Sequence, residues 1–94
     1  MGKGRYVETL EYIGMIRRAL RALGRRVAGG DVESLTDMLA LQKEYDAAVV
    51  AAVAGLRQEY SWAEIAARAG ISKQSAHERW AFKVNELSEW EGVK

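Results

Sequence analysis

The chain has 94 residues, of which 49% are hydrophobic, and it contains neither proline nor cysteine. This length suits a single domain with one modest core and excludes a separate catalytic domain. The absence of cysteine excludes a disulfide framework and any cysteine-based zinc site. Because alanine is frequent and β-branched runs are few, the composition favours an all-α fold, and we treat residues 1–94 as one helical domain.

Two features of the sequence bear on location. No apolar run approaches the roughly 18 residues of a transmembrane helix, and the N-terminus lacks the basic-then-apolar order of a secretion signal. We therefore expect a soluble cytoplasmic protein with no membrane partner.

Two long amphipathic helices are predicted in the first part of the chain. The first covers residues 6–27, and its apolar positions are spaced three and four apart. They are Ile13, Ile16, Leu20, Leu23 and Val27. Gly29 and Gly30 end this helix, and Asp31 is a candidate N-cap for a second helix that extends to about residue 58. The apolar positions of the second helix are Leu35, Met38, Leu39, Tyr45, Val49, Ala52, Val53 and Leu56.

The pattern predicts a long antiparallel helical hairpin over residues 5–58. Its apolar stripes are longer than a compact motif of short helices can cover. A second copy of the chain is the simplest cover, through a four-helix or coiled-coil-like seam. We therefore predict a homodimer in which the hairpin provides dimerisation and support.

The net charge of +1 conceals an uneven distribution along the chain. Residues 1–30 carry seven basic and two acidic side chains, and the next thirty residues carry two basic and six acidic ones. Arg17, Arg21 and Arg25 follow one another at intervals of four on a helix, so they are candidate contacts to DNA phosphates. The alternative is that they pair with the acidic start of the second helix across the hairpin.

Local signals for two short helices joined by a tight turn follow at residues 60–80. Ser61 precedes Glu64 by three residues, which is the spacing of a capping box. Gly70 supplies the residue that takes positive φ after the last helical turn, and Ser72 offers a new N-cap. These signals predict helices over residues 62–69 and 73–89.

These residues resemble the helix-turn-helix of repressors, phage regulators and the promoter-reading end of sigma factors. The resemblance rests on small Ala66, on Gly70 at the turn, and on apolar Ile65, Ala69, Ile71 and Ala76. It departs from the family at Arg79, where an apolar residue is usual, and the adjacent Trp80 supplies the missing burial. It implies a DNA-binding region over residues 60–90 with an extended recognition helix.

The resemblance implies that one side of the last helix faces the major groove. With about 100° per residue, Ala76, Trp80, Val84 and Leu87 share the core side, and Phe82 points away from it. The candidate DNA contacts are Ser72, Lys73, Gln74, His77, Glu78, Arg79 and Ala81. Among them the Gln74 amide matches the edge of adenine, Glu78 can accept from cytosine, and Ala81 admits a thymine methyl group. Ser61 is a further candidate phosphate contact.

The sequence shows no nucleotide-binding loop, nucleophile elbow, metal-ligand spacing or paired carboxylates. The lone His77 is a poor ligand or acid-base group, so we expect no enzyme activity, no cofactor and no metal. The leading interpretation is sequence-specific binding of double-stranded DNA by a small dimeric transcription regulator, in the cytoplasm at the nucleoid.

Two other interpretations stay open. One is an architectural, segregation or packaging protein, or a sigma-like element, whose partner would be RNA polymerase or another regulator. The other is a helical protein-interaction module in which the motif is only a compact support.

Overall fold

The computed structural model describes the backbone of residues 2–92 and the side chains of residues 4–87. Within residues 2–92 the chain is helical and has no strand, which confirms the all-α prediction. The elements are α1 (Gly2–Ala28), a 3-10 turn (Val32–Ser34), α2 (Leu35–Leu56), α3 (Trp62–Ala69) and α4 (Lys73–Gly92). In this described part of the chain, none of the helices combines the length and apolarity needed to cross a membrane.

The chain divides into two compact units, and the boundary lies inside α2. Unit 1 extends to Leu41, and unit 2 begins at Gln42. Unit 1 thus holds α1, the 3-10 turn and the start of α2, whereas unit 2 holds the rest of α2 with α3 and α4. The predicted hairpin over residues 5–58 stays a prediction.

The connection between α1 and α2 in unit 1 differs from the expected one. After α1 the backbone turns at Gly30, whose φ is 126°. The Asp31 carboxylate accepts a hydrogen bond from the Ser34 hydroxyl at 2.8 Å and caps no backbone N–H. The prediction that Asp31 is the N-cap of the second helix is therefore wrong. A 3-10 turn intervenes instead, and α2 begins only at Leu35.

Unit 1 contains no buried side chain among residues 4–41. Three positions of the predicted α1 stripe, Ile13, Ile16 and Leu20, are 38%, 48% and 47% exposed. The last two positions of that stripe, Leu23 and Val27, are half-buried. The α1 sequence forms its helix, and in the single chain most of its apolar face remains in contact with solvent.

The core lies in unit 2 and is built from the end of α2 together with α3 and α4. Its buried residues are Val50, Val53, Ile65, Ala66, Ala76, Ala81 and Val84. Half-buried Val49, Ala54, Trp62 and Trp80 pack against it. Of the predicted α2 stripe, Val53 is confirmed as a core residue, but Tyr45 and Leu39 are 67% and 66% exposed.

Candidate nucleic-acid interface

The start of α3 is fixed by the predicted capping box. The backbone N–H of Glu64 donates to Ser61 Oγ at 3.1 Å, and the Ser61 N–H donates to Glu64 Oε1 at 2.9 Å. Two backbone donors that the helix leaves without partners are thereby satisfied. The hydrogen bond from the Ser61 backbone, and then that with its side chain, hold the pKa of Glu64 below its ordinary value of 4.5.

The turn after α3 depends on Gly70, which has φ 76° and ψ 26° in the left-handed region. Its N–H donates to Ala67 O at 3.3 Å, and the N–H of Ile71 reaches back to Ala66 O at 3.0 Å. This pair of bonds is a Schellman motif, which closes the C-terminus of a helix and reverses the chain direction. The prediction of a tight turn at Gly70 is confirmed.

Ser72 is the N-cap of α4, as its position in the sequence predicts. Its Oγ accepts the backbone N–H of Ser75 at 3.0 Å, and its hydroxyl donates to Ser75 Oγ at 3.0 Å. Because the hydroxyl is engaged in capping, Ser72 reaches a phosphate only by exchanging one of these hydrogen bonds.

Helices α3 and α4 pack against each other within unit 2. The two most completely buried side chains of the protein's described part are one alanine from each helix, Ala66 at 2% and Ala76 at 0% exposure. Small side chains at a crossing allow two helix backbones to approach closely. The connection between these helices, residues 70–72, is too short to allow much freedom in their arrangement.

The structure rotates α4 from the orientation that the sequence suggested. Ala81 is 7% exposed, so the prediction that it faces the groove is wrong. Leu87, placed on the core side, is 37% exposed, whereas Ala76 and Val84 are buried as predicted. The core side is thus centred nearer to Ala81 than predicted, and Trp80 is half-buried against the core.

His77 also turns towards α3. Its ring lies edge-on against Trp62, with centroids 5.5 Å apart and planes at 72°. The Arg57 guanidinium also lies over this indole, 5.0 Å from the ring centroid, and Arg57 Nη1 donates to Tyr60 O at 3.0 Å. This arrangement joins the end of α2 to α3 and α4. No local spacing in the sequence indicates a role for Arg57, since its partner is five residues away and lies in α3.

Two of the predicted base readers are joined to each other. Gln74 Nε2 donates to Glu78 Oε2 at 3.1 Å, and both side chains are exposed on α4. This hydrogen bond competes with recognition of adenine by the Gln74 amide, and it holds the Glu78 carboxylate in place. Lys73 is exposed beside them.

Arg79 is the residue at which the chain departs from the family pattern. Its guanidinium lies 5.7 Å from the centroid of the Trp80 ring, within the range of a cation–π interaction. The charged head therefore remains exposed while it covers the half-buried indole. Arg79 can turn towards a phosphate at the cost of that contact.

The candidate phosphate contacts are dispersed. Arg17, Arg21 and Arg25 are all exposed and belong to unit 1. Ser61 is exposed in unit 2, but its N–H and Oγ are both engaged with Glu64, whose carboxylate repels an approaching anion. Unit 2 carries seven basic and eight acidic residues, so attraction for DNA depends on where the charges lie.

Among the described residues, no group of three or more His, Asp and Glu side chains is arranged to hold a metal ion. Comparison with models of protein families, with curated proteins and with solved structures finds no match for this chain.

Proposed function

We propose that this protein binds double-stranded DNA through α3 and α4, with the first half of α4 in the major groove. The observation that carries the proposal is the pair of local capping arrangements on either side of α3. A capping box starts α3, and a left-handed glycine with a new serine cap connects α3 to α4. Together with the packing of α3 against α4 and the burial of Ala66 and Ala76, these features are those expected of a helix-turn-helix and support the proposal.

The exposed residues of α4 suit the edges of base pairs. Lys73, Gln74 and Glu78 lie in its first two turns, where recognition helices contact bases. Lysine can donate to guanine, and glutamate can accept from the cytosine amino group. Ser75, which the sequence analysis did not select, is exposed in the same two turns and adds a hydroxyl that can donate or accept.

The exposed apolar face of unit 1 supports the dimeric part of this proposal, a small dimeric transcription regulator. Its apolar side chains lack burial among residues 4–41, and a second copy would cover them. A twofold dimer presents two recognition helices to half-sites spaced by one duplex turn, about 34–36 Å. Arg17, Arg21 and Arg25 would then add phosphate contacts on either side. A DNA-binding role of this kind belongs in the cytoplasm at the nucleoid.

The test is fluorescence anisotropy of a labelled mixed-sequence duplex titrated with the full chain at several salt concentrations. Affinity should fall as a power of salt concentration between about 50 and 200 mM, because bound phosphates release counterions. Lys73→Gln should reduce the slope of that dependence by about one. Lys43→Gln is the matched control, since it removes the same charge from exposed α2. Absence of salt-sensitive binding even at the lowest salt would refute the proposal.

A helical protein-interaction module is the second candidate function. Two observations favour it: unit 2 has no excess of basic residues, and the exposed apolar side chains of α1 are those of an interaction surface. On this alternative the protein self-associates or binds a helical partner, and duplex DNA has no effect on its anisotropy at any salt concentration.

A further inference from the structure

Phe82 is the most exposed large hydrophobic residue among the described side chains, at 74% exposure. It lies in the third turn of α4, beyond Gln74 and Glu78, and the function proposed above does not account for it. The inference that follows rests on that proposed function and deepens it, because it concerns which base the same helix reads.

The direction of Phe82 is fixed by the residues that α4 buries. Ala76, Ala81 and Val84 define the core side of the helix. With about 100° per residue, Phe82 lies about 160° from the centre of that side. Glu78, one turn earlier, lies within about 40° of Phe82 and is also exposed. The two side chains therefore project from the surface that a recognition helix directs towards the duplex.

The major groove offers an aromatic ring one apolar feature, which is the 5-methyl group of thymine. The groove also presents the amino group of cytosine, from which the Glu78 carboxylate can accept a hydrogen bond. Residues four apart on a helix are about 6 Å apart, which is close to two base-pair steps of about 3.4 Å each. We propose that Phe82 packs on a thymine methyl group and that, with Glu78, it makes α4 specific for two pyrimidines about two base-pair steps apart.

The hydrogen bond from Gln74 Nε2 to Glu78 Oε2 supports this assignment. It leaves Glu78 Oε1 to accept from a base and restrains the side chain at the correct turn of the helix. A guanine or thymine opposite Glu78 would present an acceptor, O6 or O4, to the carboxylate in place of the cytosine amino group, which is a penalty against the wrong base.

Pairing of Phe82 with its counterpart in a second copy is the other use of such a side chain. The charges around it oppose this arrangement, since Glu78 and Glu86 lie one turn on either side and both are exposed. Antiparallel association of two α4 helices about Phe82 would bring glutamates of the two copies together, and like charges at that distance repel. The phenylalanine is therefore assigned to the base pair.

The experiment begins with selection of a bound duplex from a random pool by the full chain. In the recovered duplex, each thymine is then replaced in turn by deoxyuridine, which removes only the 5-methyl group. For the unaltered protein, replacement at one position of each half-site should weaken binding about fourfold, the effect of losing one buried methyl group. Phe82→Ala should bind the thymine and deoxyuridine duplexes equally, whereas Phe82→Leu should retain part of the discrimination. Circular dichroism confirms that each variant is folded.

Two results would overturn the inference while leaving the proposed function intact. One is salt-sensitive binding by the unaltered protein with equal affinity for thymine and deoxyuridine at every position. The other is a folded Phe82→Ala protein that changes its oligomeric size and weakens both duplexes alike, which would assign the ring to a contact between copies. Failure to recover any duplex would refute the proposed function itself.

Discussion

Both units of the chain contain helices with apolar residues at helical spacing, yet among the side chains of residues 4–87 only unit 2 contains a core. Unit 2 supplies all seven buried residues, whereas residues 4–41 of unit 1 supply none. Apolar residues at helical spacing are thus sufficient to predict a helix but not to bury it. Burial in unit 2 comes from three helix segments that converge, which requires short connections of defined geometry.

The connections of the two units differ in the chemistry that fixes them. In unit 2, the eight-residue α3 lies between a reciprocal capping box and a left-handed glycine. In unit 1, the 27-residue α1 is followed by a turn whose Asp31 caps no backbone N–H. We infer that unit 2 is stabilised by its own core, and that the apolar face of unit 1 becomes buried only by packing against another protein surface.

The strongest destabilisation should be seen when a matched isoleucine is truncated in each unit, and it should occur in unit 2. Ile65→Ala should lower the free energy of unfolding by about 2–5 kcal/mol, because Ile65 is 6% exposed and its removal leaves a cavity. Ile16→Ala should cost less than about 1 kcal/mol in the single chain, since Ile16 is 48% exposed. Urea unfolding followed by circular dichroism measures both values.

The destabilisation caused by the two substitutions should depend differently on protein concentration. If a second copy covers unit 1, Ile16→Ala becomes more destabilising as the concentration rises, because association stabilises the folded state by mass action. Ile65→Ala should lose the same free energy at every concentration. Equal losses for the two variants at low concentration would contradict the difference between the units.

The part of the fold that the sequence predicts best is the part governed by local chemistry. Ser61, Glu64, Gly70 and Ser72 each act on backbone groups within five residues, and the bounds of α3 agree with the prediction to the residue. The same reasoning failed at Asp31. Its spacing allowed a cap, but its carboxylate accepts from the Ser34 hydroxyl instead, and a 3-10 turn precedes α2.

Burial was harder to predict than helix bounds. Residues 47–54 of α2 are alanine and valine throughout, so their periodicity does not single out one face, and Val50 was not among the predicted positions. On α4, Ala81 fits either side by size and polarity. The rotation depends on tertiary packing, such as that of Val84 with Val50, Val53 and Ile65, which the sequence of α4 alone does not show.

The predicted DNA contacts depend on that rotation. Gln74, Glu78 and Lys73 remain exposed on α4, whereas Ala81 is buried. The contact of Arg57, which follows α2, with Trp62 in α3 is likewise not encoded by any local spacing.

Replacement of a left-handed glycine tests whether the two turns are equally important. Gly70→Ala should destabilise unit 2 by roughly 1–2 kcal/mol, the cost of a side chain in the left-handed region. A Cβ atom there would meet no atom within 4 Å, so the loss is purely conformational. Gly30 also has positive φ and open space, but Gly30→Ala should leave the main unfolding transition unchanged. Thermal unfolding of both variants provides the measurement, and a large shift for Gly30→Ala would contradict independent units.

The helix caps provide a smaller contrast. Ser61→Ala should lower stability by about 1 kcal/mol, because the N–H of Glu64 loses its acceptor. Asp31→Ala should change stability by no more than about 0.5 kcal/mol, since the Asp31 side chain caps no backbone group. Urea unfolding distinguishes these outcomes, and the reverse order would show that the turn of unit 1 is the more important connection.

The smallest effect concerns pH and the capping carboxylate of α3. The hydrogen bond from the Ser61 backbone, followed by that with its side chain, lowers the pKa of Glu64 in the folded state below 4.5. A depressed folded pKa means that the stabilisation is present above about pH 4.5 and is lost as the pH falls through the lower folded value.

In Glu64→Gln, the amide oxygen can still accept from Ser61 but carries no charge. Thermal unfolding between pH 6 and about pH 2.5 should therefore show the two proteins converging in acid, since protonated glutamate and glutamine then cap alike. Because Glu64 is at the surface, salt should reduce their separation at pH 6. A constant difference across the whole range would show that the charge of Glu64 does not stabilise α3.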